Sequence, residues 1–227
     1  MLYDYNYLLY FLPILLLSLI AKIWISISYA RNSKVSPKTG LSGIDAANTI
    51  LEGEKFPVSV KVEGNALSDH FDPVKDTVIL SRNSNKSSVA QIAVVAHEFG
   101  HVQQKFLGSK LFKTRNFLIP VINIGSQLGY ILIIAGLALS IFNLSRVGLV
   151  LFAGTSLFAL ITIPIEIDAT RRGLALIKRY RLIDNSVISN AKAVLNAAAF
   201  TYIASLATSL LNLFYYRSLV NRSSRRD

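Results

Sequence analysis

The chain has 227 residues, of which 52% are hydrophobic and 16% are charged, and its formal net charge is +11 at pH 7. A mean hydropathy of +0.45 is too high for an ordinary water-soluble domain, and the composition excludes a disordered chain. Cysteine is absent, which excludes disulfides, thiolate metal sites and a cysteine nucleophile. We therefore predict a mainly α-helical, polytopic membrane protein with one small polar domain, whose metal ligands, if any, are His, Asp or Glu.

The positive charge lies beside the apolar segments rather than among exposed aromatic residues. Eighteen of the 24 Lys and Arg residues fall in residues 31–115 and 166–192, the two polar stretches that border apolar segments. The positive-inside rule predicts this pattern for cytoplasmic segments. The pattern argues against nucleic acid as a partner and predicts a multi-pass protein of the cell membrane, with the lipid bilayer around it and its polar domain in the cytoplasm.

The first apolar segment, from about Tyr7 to Ile27, is long enough to cross about 30 Å of hydrocarbon. Asp4 precedes this segment and basic residues from Arg31 onward follow it, which is the reverse of the charge order in a secretory signal. Residues 1–30 are therefore predicted to form an uncleaved transmembrane anchor with its N-terminus outside the cell.

Residues 31–115 form the predicted polar domain, which we expect to be α+β. Ser42 and Asp45 have the spacing of a capping box, which predicts a short helix through about Leu51. The alternation of valines over 58–62 predicts a strand.

A turn-rich stretch at Asp69–Pro73 precedes a second predicted strand at Thr77–Ser81. We expect this second strand to form a sheet edge on which an extended peptide adds as a further strand. His70 lies in the turn-rich stretch, where it is either a substrate contact or a structural residue of the turn.

A helix is predicted from about Lys86 to Leu107, with Asn85 or Ser84 as its cap and Gly108 as its end. Its mostly apolar stretch, Val89–Ala96, has only eight residues, which is too short for a membrane span.

This helix carries the sequence His97-Glu98-Phe99-Gly100-His101. Residues four apart lie on one face of a helix, so His97 and His101 can direct ring nitrogens at one metal ion. Glu98 lies about 100° around the helix and can reach a water bound to that ion. The alternative is a surface helix with a chance His-Glu cluster, but the flanking residues are uncharged, and Gly100 indicates a close approach to the backbone.

Two further apolar segments, at about Phe117 to Phe142 and Val147 to Ile165, are separated only by Asn143–Arg146. So short a connection predicts an antiparallel transmembrane hairpin over residues 116–165. A helical segment is expected at 166–192.

A last apolar segment at about Ala193 to Tyr216 lies within the C-terminal region, residues 193–227. If this segment spans the membrane, the basic residues after it violate the charge rule, so either the helix does not cross fully or the tail is a tolerated exception. These residues are Arg217, Arg222, Arg225 and Arg226.

A catalytic zinc ion usually has three protein ligands and one water. Gln104 and Leu107 exclude the pattern with a third histidine six residues after the motif. The carboxylates after His101 are Glu166, Asp168, Asp184 and Asp227. Because the hairpin returns the chain to the side it left, Glu166 is the first of them beside the motif helix, and Asp168 would face roughly the opposite way. The alternative for Glu166 is an interfacial carboxylate paired with Arg171 or Arg172.

The motif, the hairpin and the segment Pro-Ile-Glu-Ile-Asp-Ala-Thr-Arg-Arg at 164–172 resemble the YugP-type membrane zinc metallopeptidases. So do the upstream Asp-His-Phe-Asp-Pro at 69–73 and Leu-Asn-Ala-Ala-Ala-Phe-Thr-Tyr at 195–202, so that the resemblance covers nearly the whole chain. More distantly, the chain is similar to the HtpX and CAAX-prenyl protease group. This similarity implies that residues 31–115 form a zincin-like α+β domain and that one zinc ion is bound by His97, His101 and Glu166.

That group has Glu-x-x-x-Asp, whereas the residue four positions after Glu166 is Thr170. Asp168 and Thr170 are both open as the residue that orients a zinc-bound imidazole from behind. On resemblance alone, Arg172 and Tyr202 are candidate oxyanion donors.

These observations predict a membrane-embedded zinc endopeptidase with one Zn²⁺ per chain and a peptide or membrane-protein substrate. Glu98 would act as general base toward the metal-activated water. One alternative is a protease that cleaves within the bilayer, which the short, polar-flanked motif helix disfavours. Another is a non-catalytic scaffold or metal transporter, which the intact Glu98 and the absence of paired intramembrane acids disfavour. The sequence does not indicate an oligomeric state.

Overall fold

The computed structural model describes residues 5–65 and 68–223, with side chains from residue 8 onward. The described part of the chain contains α1 (Tyr5–Asn32), α2 (Gly43–Glu54), β1 (Ser59–Val62), β2 (His70–Asp72), β3 (Thr77–Leu80), α3 (Val89–Phe106), α4 (Lys110–Ala138), α5 (Phe142–Arg179) and α6 (Ile188–Ser223). Short 3-10 turns at Arg82–Asn85 and Asn185–Val187 precede α3 and α6. The predicted mainly helical fold with a small sheet is confirmed.

Four of these helices are long and apolar enough to cross a bilayer, as predicted. They are Leu8–Asn32, Lys110–Ala138, Phe142–Arg179 and Asn185–Ser223. Among the described residues α3 is not one of them, which agrees with its short apolar stretch. Of the basic tail, Arg225 and Arg226 lie outside the described residues.

One compact unit comprises residues 1–22, 114–164 and 201–227. Within it α4 and α5 form the predicted antiparallel hairpin, and a Cβ atom on Gly148 would lie only 2.6 Å from the carbonyl oxygen of Gly129. The prediction that Asn143–Arg146 connects the two helices is wrong, because these residues form the first turn of α5. The chain reverses earlier, at left-handed Ser140 with φ 58°.

The second unit comprises residues 23–113 and 165–200 and contains the sheet. The strand order is β1-β3-β2, with β1 parallel and β2 antiparallel to β3. The prediction of β3 as a sheet edge is therefore wrong, since it is the central strand and is largely buried. The stretch Asp69–Pro73, predicted as a turn, contains the edge strand β2.

The capping box of α2 is present as predicted: the side chains of Ser42 and Asp45 each accept from the other residue's backbone N–H. The helix then continues to Glu54, one turn beyond the predicted end. α3 begins at Val89 with Ser88 as its cap, later than predicted, because the residues before it form a 3-10 turn.

α3 is the most buried helix of the second unit. Thirteen of its 18 residues are buried, and these include polar residues as well as apolar ones. The buried polar residues are Gln91, Glu98, His101 and Gln104. Because a buried polar group needs a hydrogen-bond partner, these four side chains indicate where α3 makes specific contacts. Gly108, with φ 80°, follows the helix and ends it as predicted.

Candidate metal centre

α3 and the C-terminal part of α5 approach closely because two glycines leave room for backbone contact. A Cβ atom on Gly100 would lie 2.3 Å from the carbonyl oxygen of Ala169, and one on Gly173 would lie 2.8 Å from the carbonyl oxygen of Ala96. Side-chain atoms cannot be accommodated at such separations in a close-packed interior. The prediction that Gly100 marks a close approach to the backbone is therefore confirmed.

His97, His101 and Glu166 lie together where α3 contacts α5. The Nε2 atoms of His97 and His101 are 3.2 Å and 3.5 Å from Oε2 of Glu166. The two imidazole centroids are 4.9 Å apart, and the Glu166 side chain is only 2% exposed. The three side chains can each direct one ligand atom to a common point, since these atoms lie within 4.8 Å of one another.

These separations fit one tetrahedral zinc ion. Zn²⁺ binds imidazole nitrogen and carboxylate oxygen at about 2.0–2.2 Å, so two of its ligands are roughly 3.3 Å apart. The two nitrogen–oxygen distances, 3.2 Å and 3.5 Å, lie on either side of this value. Two imidazoles and one carboxylate are also a donor set that zinc accepts while keeping a fourth position for water.

Glu98 follows His97 on α3, and its carboxylate is directed to the edge strand of the sheet. Oε2 of Glu98 accepts a hydrogen bond from the backbone N–H of Phe71 in β2, at 2.8 Å. Burial raises the pKa of the Glu98 carboxyl above its ordinary value, and the imidazoles of His97 and His101 oppose this only in part. A carboxyl whose pKa is raised toward neutral is suited to general acid-base chemistry.

Each imidazole also has a polar contact at its other ring nitrogen. Nδ1 of His97 is 3.3 Å from the Thr170 hydroxyl, and Nδ1 of His101 is 2.9 Å from Oε1 of Gln104. Gln104 in turn donates to Asp168 at 3.0 Å. The sequence left Thr170 and Asp168 open as the residue behind a zinc-binding imidazole. Thr170 contacts His97 directly, and Asp168 is linked to His101 through Gln104.

Gln104 is the site residue that the sequence interpretation missed. The sequence considered it only as the residue that breaks a longer histidine motif. Its one local signal is its position three residues after His101, which places it on the same side of the helix. That signal could not identify the partners of its amide, because these lie on α5.

The remaining candidates have other contacts. Arg172 donates to Asp168 at 2.7 Å, as does Arg171. His70 is exposed, and its Nδ1 lies 2.8 Å from the carbonyl oxygen of Ser68. Tyr202 belongs to the first unit, where it lines a cavity of about 340 Å³.

Of the two aspartates beside His70, Asp72 makes the contacts of a structured turn, whereas Asp69 bonds residues 12 and 15 positions further along the chain. Asp69 accepts from the backbone N–H of Ser81 and from the Ser84 hydroxyl, while Asp72 accepts from the backbone N–H groups of Val74 and Lys75. Such side chain–backbone bonds stabilise turns.

Comparison with known proteins indicates the same family as the sequence motifs. A family model described as "Putative neutral zinc metallopeptidase" matches residues 7–221. "Putative membrane protease YugP" of Bacillus subtilis (strain 168) is 32% identical over 202 residues, which cover 88% of this chain and 90% of that protein. No solved structure matches the chain.

The predicted resemblance to the YugP-type proteins is thereby confirmed. The similarity to a protein named as a membrane protease, together with four helices able to cross a bilayer, supports a multi-pass membrane protein. With a family match over nearly its whole length and a His-His-Glu cluster that fits zinc, the chain belongs to the neutral zinc metallopeptidase family.

Proposed function

We propose that this protein is a membrane-embedded zinc endopeptidase in which His97, His101 and Glu166 bind one Zn²⁺ per chain. The convergence of these three side chains is the observation that carries the proposal. Two of them are one helical turn apart on α3, and the third is on α5, 65 positions after His101 in the sequence. A chance His-Glu cluster on a surface helix does not account for a buried carboxylate from another helix directed at both imidazoles.

Glu98 is the proposed general base. A zinc ion at this site would lower the pKa of a bound water well below that of bulk water and would polarise the scissile carbonyl group. Glu98 then accepts the proton of the attacking water and delivers it to the leaving amine. The backbone N–H of Phe71 holds this carboxylate in place at 2.8 Å, and burial keeps competing solvent away from it.

The proposed peptide-binding element is β2 rather than β3. β2 is an edge strand, paired only with β3 in the described part of the sheet, and its Phe71 contacts Glu98. The Phe71 N–H is taken by Glu98, so an extended peptide would pair with the remaining main-chain groups of this edge and would lie beside the general base. Strand addition of this kind uses main-chain hydrogen bonds for affinity, so it suits substrates of varied sequence.

We place the reaction at the cytoplasmic face of the membrane and outside the hydrocarbon. The basic residues are concentrated in the two stretches that contribute to the second unit, as expected for cytoplasmic segments. In the described part of the chain, α3 is not among the helices suited to span a membrane, which favours this location over cleavage within the bilayer. The buried Glu98 favours hydrolysis over a scaffold or transport role.

Metal analysis and three substitutions test this function. The purified protein is expected to contain one zinc ion per chain, His101→Ala should lose it, and His70→Ala should retain it. Glu98→Gln should keep the zinc but reduce peptide hydrolysis by at least about 100-fold. Absence of zinc from the native protein contradicts the metal centre, whereas undiminished hydrolysis by Glu98→Gln contradicts only the general base.

The substrate can be found by comparing membranes of cells that carry the native protein or the Glu98→Gln variant. Proteins or peptides that accumulate only with the variant are expected to be uncleaved substrates. A soluble peptide among them would favour strand addition at β2 without a membrane-embedded substrate segment.

A further inference from the structure

We propose that Gln104 is a positioning residue that holds His101 in the tautomer able to bind zinc and links it to Asp168. This inference rests on the proposed zinc peptidase function and adds to it a residue outside the metal-binding motif. Gln104 is on α3 and is 1% exposed, and its side chain contacts His101, Ile165 and Asp168.

The contacts of Gln104 determine which way its amide points. Its Nε2 lies 2.8 Å from the carbonyl oxygen of Ile165 and 3.0 Å from Oδ2 of Asp168. Both partners are acceptors in their ordinary ionisation states, so the nitrogen of the amide must face them. The reversed amide would place its oxygen against two other oxygens in a buried site, at a cost of one or more unmade hydrogen bonds.

This orientation of the Gln104 amide allows only one neutral tautomer of His101. Oε1 of Gln104 faces Nδ1 of His101 at 2.9 Å, and a carbonyl oxygen can only accept, so Nδ1 must carry the hydrogen. In neutral imidazole the other nitrogen, Nε2, is then free to bind a metal ion. That nitrogen faces Glu166 at 3.5 Å, so the free lone pair is directed toward the metal centre.

Gln104 also connects the two helices that carry the ligands. Ile165, whose carbonyl oxygen it contacts, directly precedes Glu166, so the amide holds the backbone next to the third ligand. Asp168 is itself held by Arg171 and Arg172, each at 2.7 Å. In many zinc sites a carboxylate contacts the ligating histidine directly, whereas here a neutral amide lies between the carboxylate and the imidazole.

His97 differs from His101 in the group that faces its Nδ1 atom. Its Nδ1 lies 3.3 Å from the Thr170 hydroxyl, a group that can either donate or accept. The tautomer of His97 is therefore not determined by this contact. The difference predicts that the two imidazoles respond differently when their partners are changed.

Nitrogen NMR of histidine tests the tautomer without any metal. The chain has three histidines, so ¹⁵N-histidine labelling yields few signals, and His70→Ala and His97→Ala identify them. At a pH high enough for the ¹⁵N shifts themselves to show that His101 is neutral, metal-free His101 is expected to show the Nδ1–H tautomer, and Gln104→Met is expected to lose this preference. An Nε2–H tautomer in the native protein, or no change in Gln104→Met, overturns the proposal.

Zinc affinity, measured by competition with a chelator, gives a second readout. Gln104→Met is expected to weaken zinc binding about 10- to 100-fold. Gln91→Met is the matched control, because Gln91 is equally buried on α3 but bonds Tyr29 instead of a ligand; it should lower stability and leave zinc affinity unchanged. Equal losses in both variants would show that Gln104 acts only through packing.

A charged variant of nearly the same shape separates hydrogen bonding from packing more sharply. Gln104→Glu keeps the size of the side chain and an oxygen that can accept from His101. It places a carboxylate oxygen 3.0 Å from the carboxylate of Asp168 and 2.8 Å from the carbonyl oxygen of Ile165, so it should weaken zinc binding. Native zinc affinity in Gln104→Glu would overturn the proposal.

These outcomes are distinct from failure of the proposed function. If the native protein binds no zinc, the peptidase proposal is wrong, while the histidine NMR still decides the position of the His101 proton. If the native protein binds zinc and Gln104→Met binds it equally well, the metal centre stands and the role of Gln104 is refuted.

Discussion

Two pairs of polar side chains on α5 bond in different ways, although they belong to one continuous helix. In residues 142–164, the hydroxyls of Thr155 and Thr162 donate to carbonyl oxygens of their own helix, three and four residues earlier. In the C-terminal part, Glu166 and Thr170 contact imidazoles on α3 instead. Local bonds satisfy a hydroxyl in apolar surroundings, whereas a contact with another helix requires that its backbone be close. Helix formation alone therefore does not create the site; the packing of α3 does.

The largest effect is expected from removing the carboxylate that α5 contributes. Glu166→Ala should abolish stoichiometric zinc binding, because two imidazoles alone provide an incomplete ligand set. Thr162→Val is the control on the same helix, since the Thr162 hydroxyl bonds the carbonyl oxygen of Phe158 and its loss should leave zinc content unchanged. Metal analysis of both purified variants measures this. Stoichiometric zinc in Glu166→Ala would mean that the third ligand lies elsewhere.

The next effect comes from separating α3 and α5. Gly100→Ala places a Cβ atom where the carbonyl oxygen of Ala169 is 2.3 Å away, so the helices must move apart. The free energy of unfolding should fall by about 1–3 kcal/mol, and zinc affinity should fall with it because Glu166 moves away from the imidazoles. Thermal unfolding in detergent and chelator competition measure the two effects.

Gly125→Ala is the control for that substitution. A Cβ atom on Gly125 in α4 has no atom within 4 Å, so no helix needs to move. Stability should be unchanged or slightly higher, because alanine favours helix. Equal losses in the two glycine variants would contradict the proposed close contact as the cause.

A smaller effect is expected when only the Thr170 contact is removed. Thr170→Val keeps the shape of the side chain but removes the hydroxyl that lies 3.3 Å from Nδ1 of His97. A single hydrogen bond of this kind contributes about 1 kcal/mol, so zinc affinity should fall roughly five-fold. Chelator competition should give a smaller loss than Gln104→Met, and a larger loss would contradict the difference between the two imidazoles.

The smallest effect concerns a local feature of the metal-binding unit. Ser42→Ala removes the capping box of α2 and should lower the free energy of unfolding by about 0.5–1 kcal/mol, without changing zinc affinity. The Ser42 hydroxyl and backbone N–H hold the pKa of Asp45 below its ordinary value. The stabilisation that comes from the hydrogen bonds to ionised Asp45 is therefore complete above about pH 4. It is lost as the pH falls through the lower pKa that Asp45 has in the folded protein.

Urea unfolding over this acid range measures the capping contribution. The native protein should lose stability there more steeply than Ser42→Ala, because in the variant the ionised Asp45 carboxylate keeps only the backbone N–H of residue 42 as a partner and loses the Ser42 hydroxyl. A change in zinc affinity in Ser42→Ala would contradict the view that local features of this unit do not determine the site.

Local features of the fold could be predicted because they depend on residues close together in the sequence. The four long apolar segments indicated the helices able to cross a bilayer, and Ser42 with Asp45 indicated the start of α2. The same holds for the pair His97 and His101, since their spacing places them on one face of any helix. Even the closeness of Glu166 could be inferred, because a short hairpin returns the chain to its starting side.

Other features depend on which segments pack together, and local sequence does not encode this. β3 is central rather than an edge because β1 and β2 pair on its two sides, and strand order is a property of the whole sheet. The role of Gln104 likewise required the positions of Ile165 and Asp168 on α5.

The sequence by itself determined the helices, the pair of imidazoles on one helix face and the short set of carboxylates able to join them. Only the tertiary structure decided the sheet order, the partner of each imidazole and the contact of Glu98 with Phe71. The physical reason is the distance along the chain over which each interaction acts. Helix formation and side-chain periodicity depend on residues a few positions apart, whereas hydrogen bonds between buried side chains of different elements exist only after those elements pack.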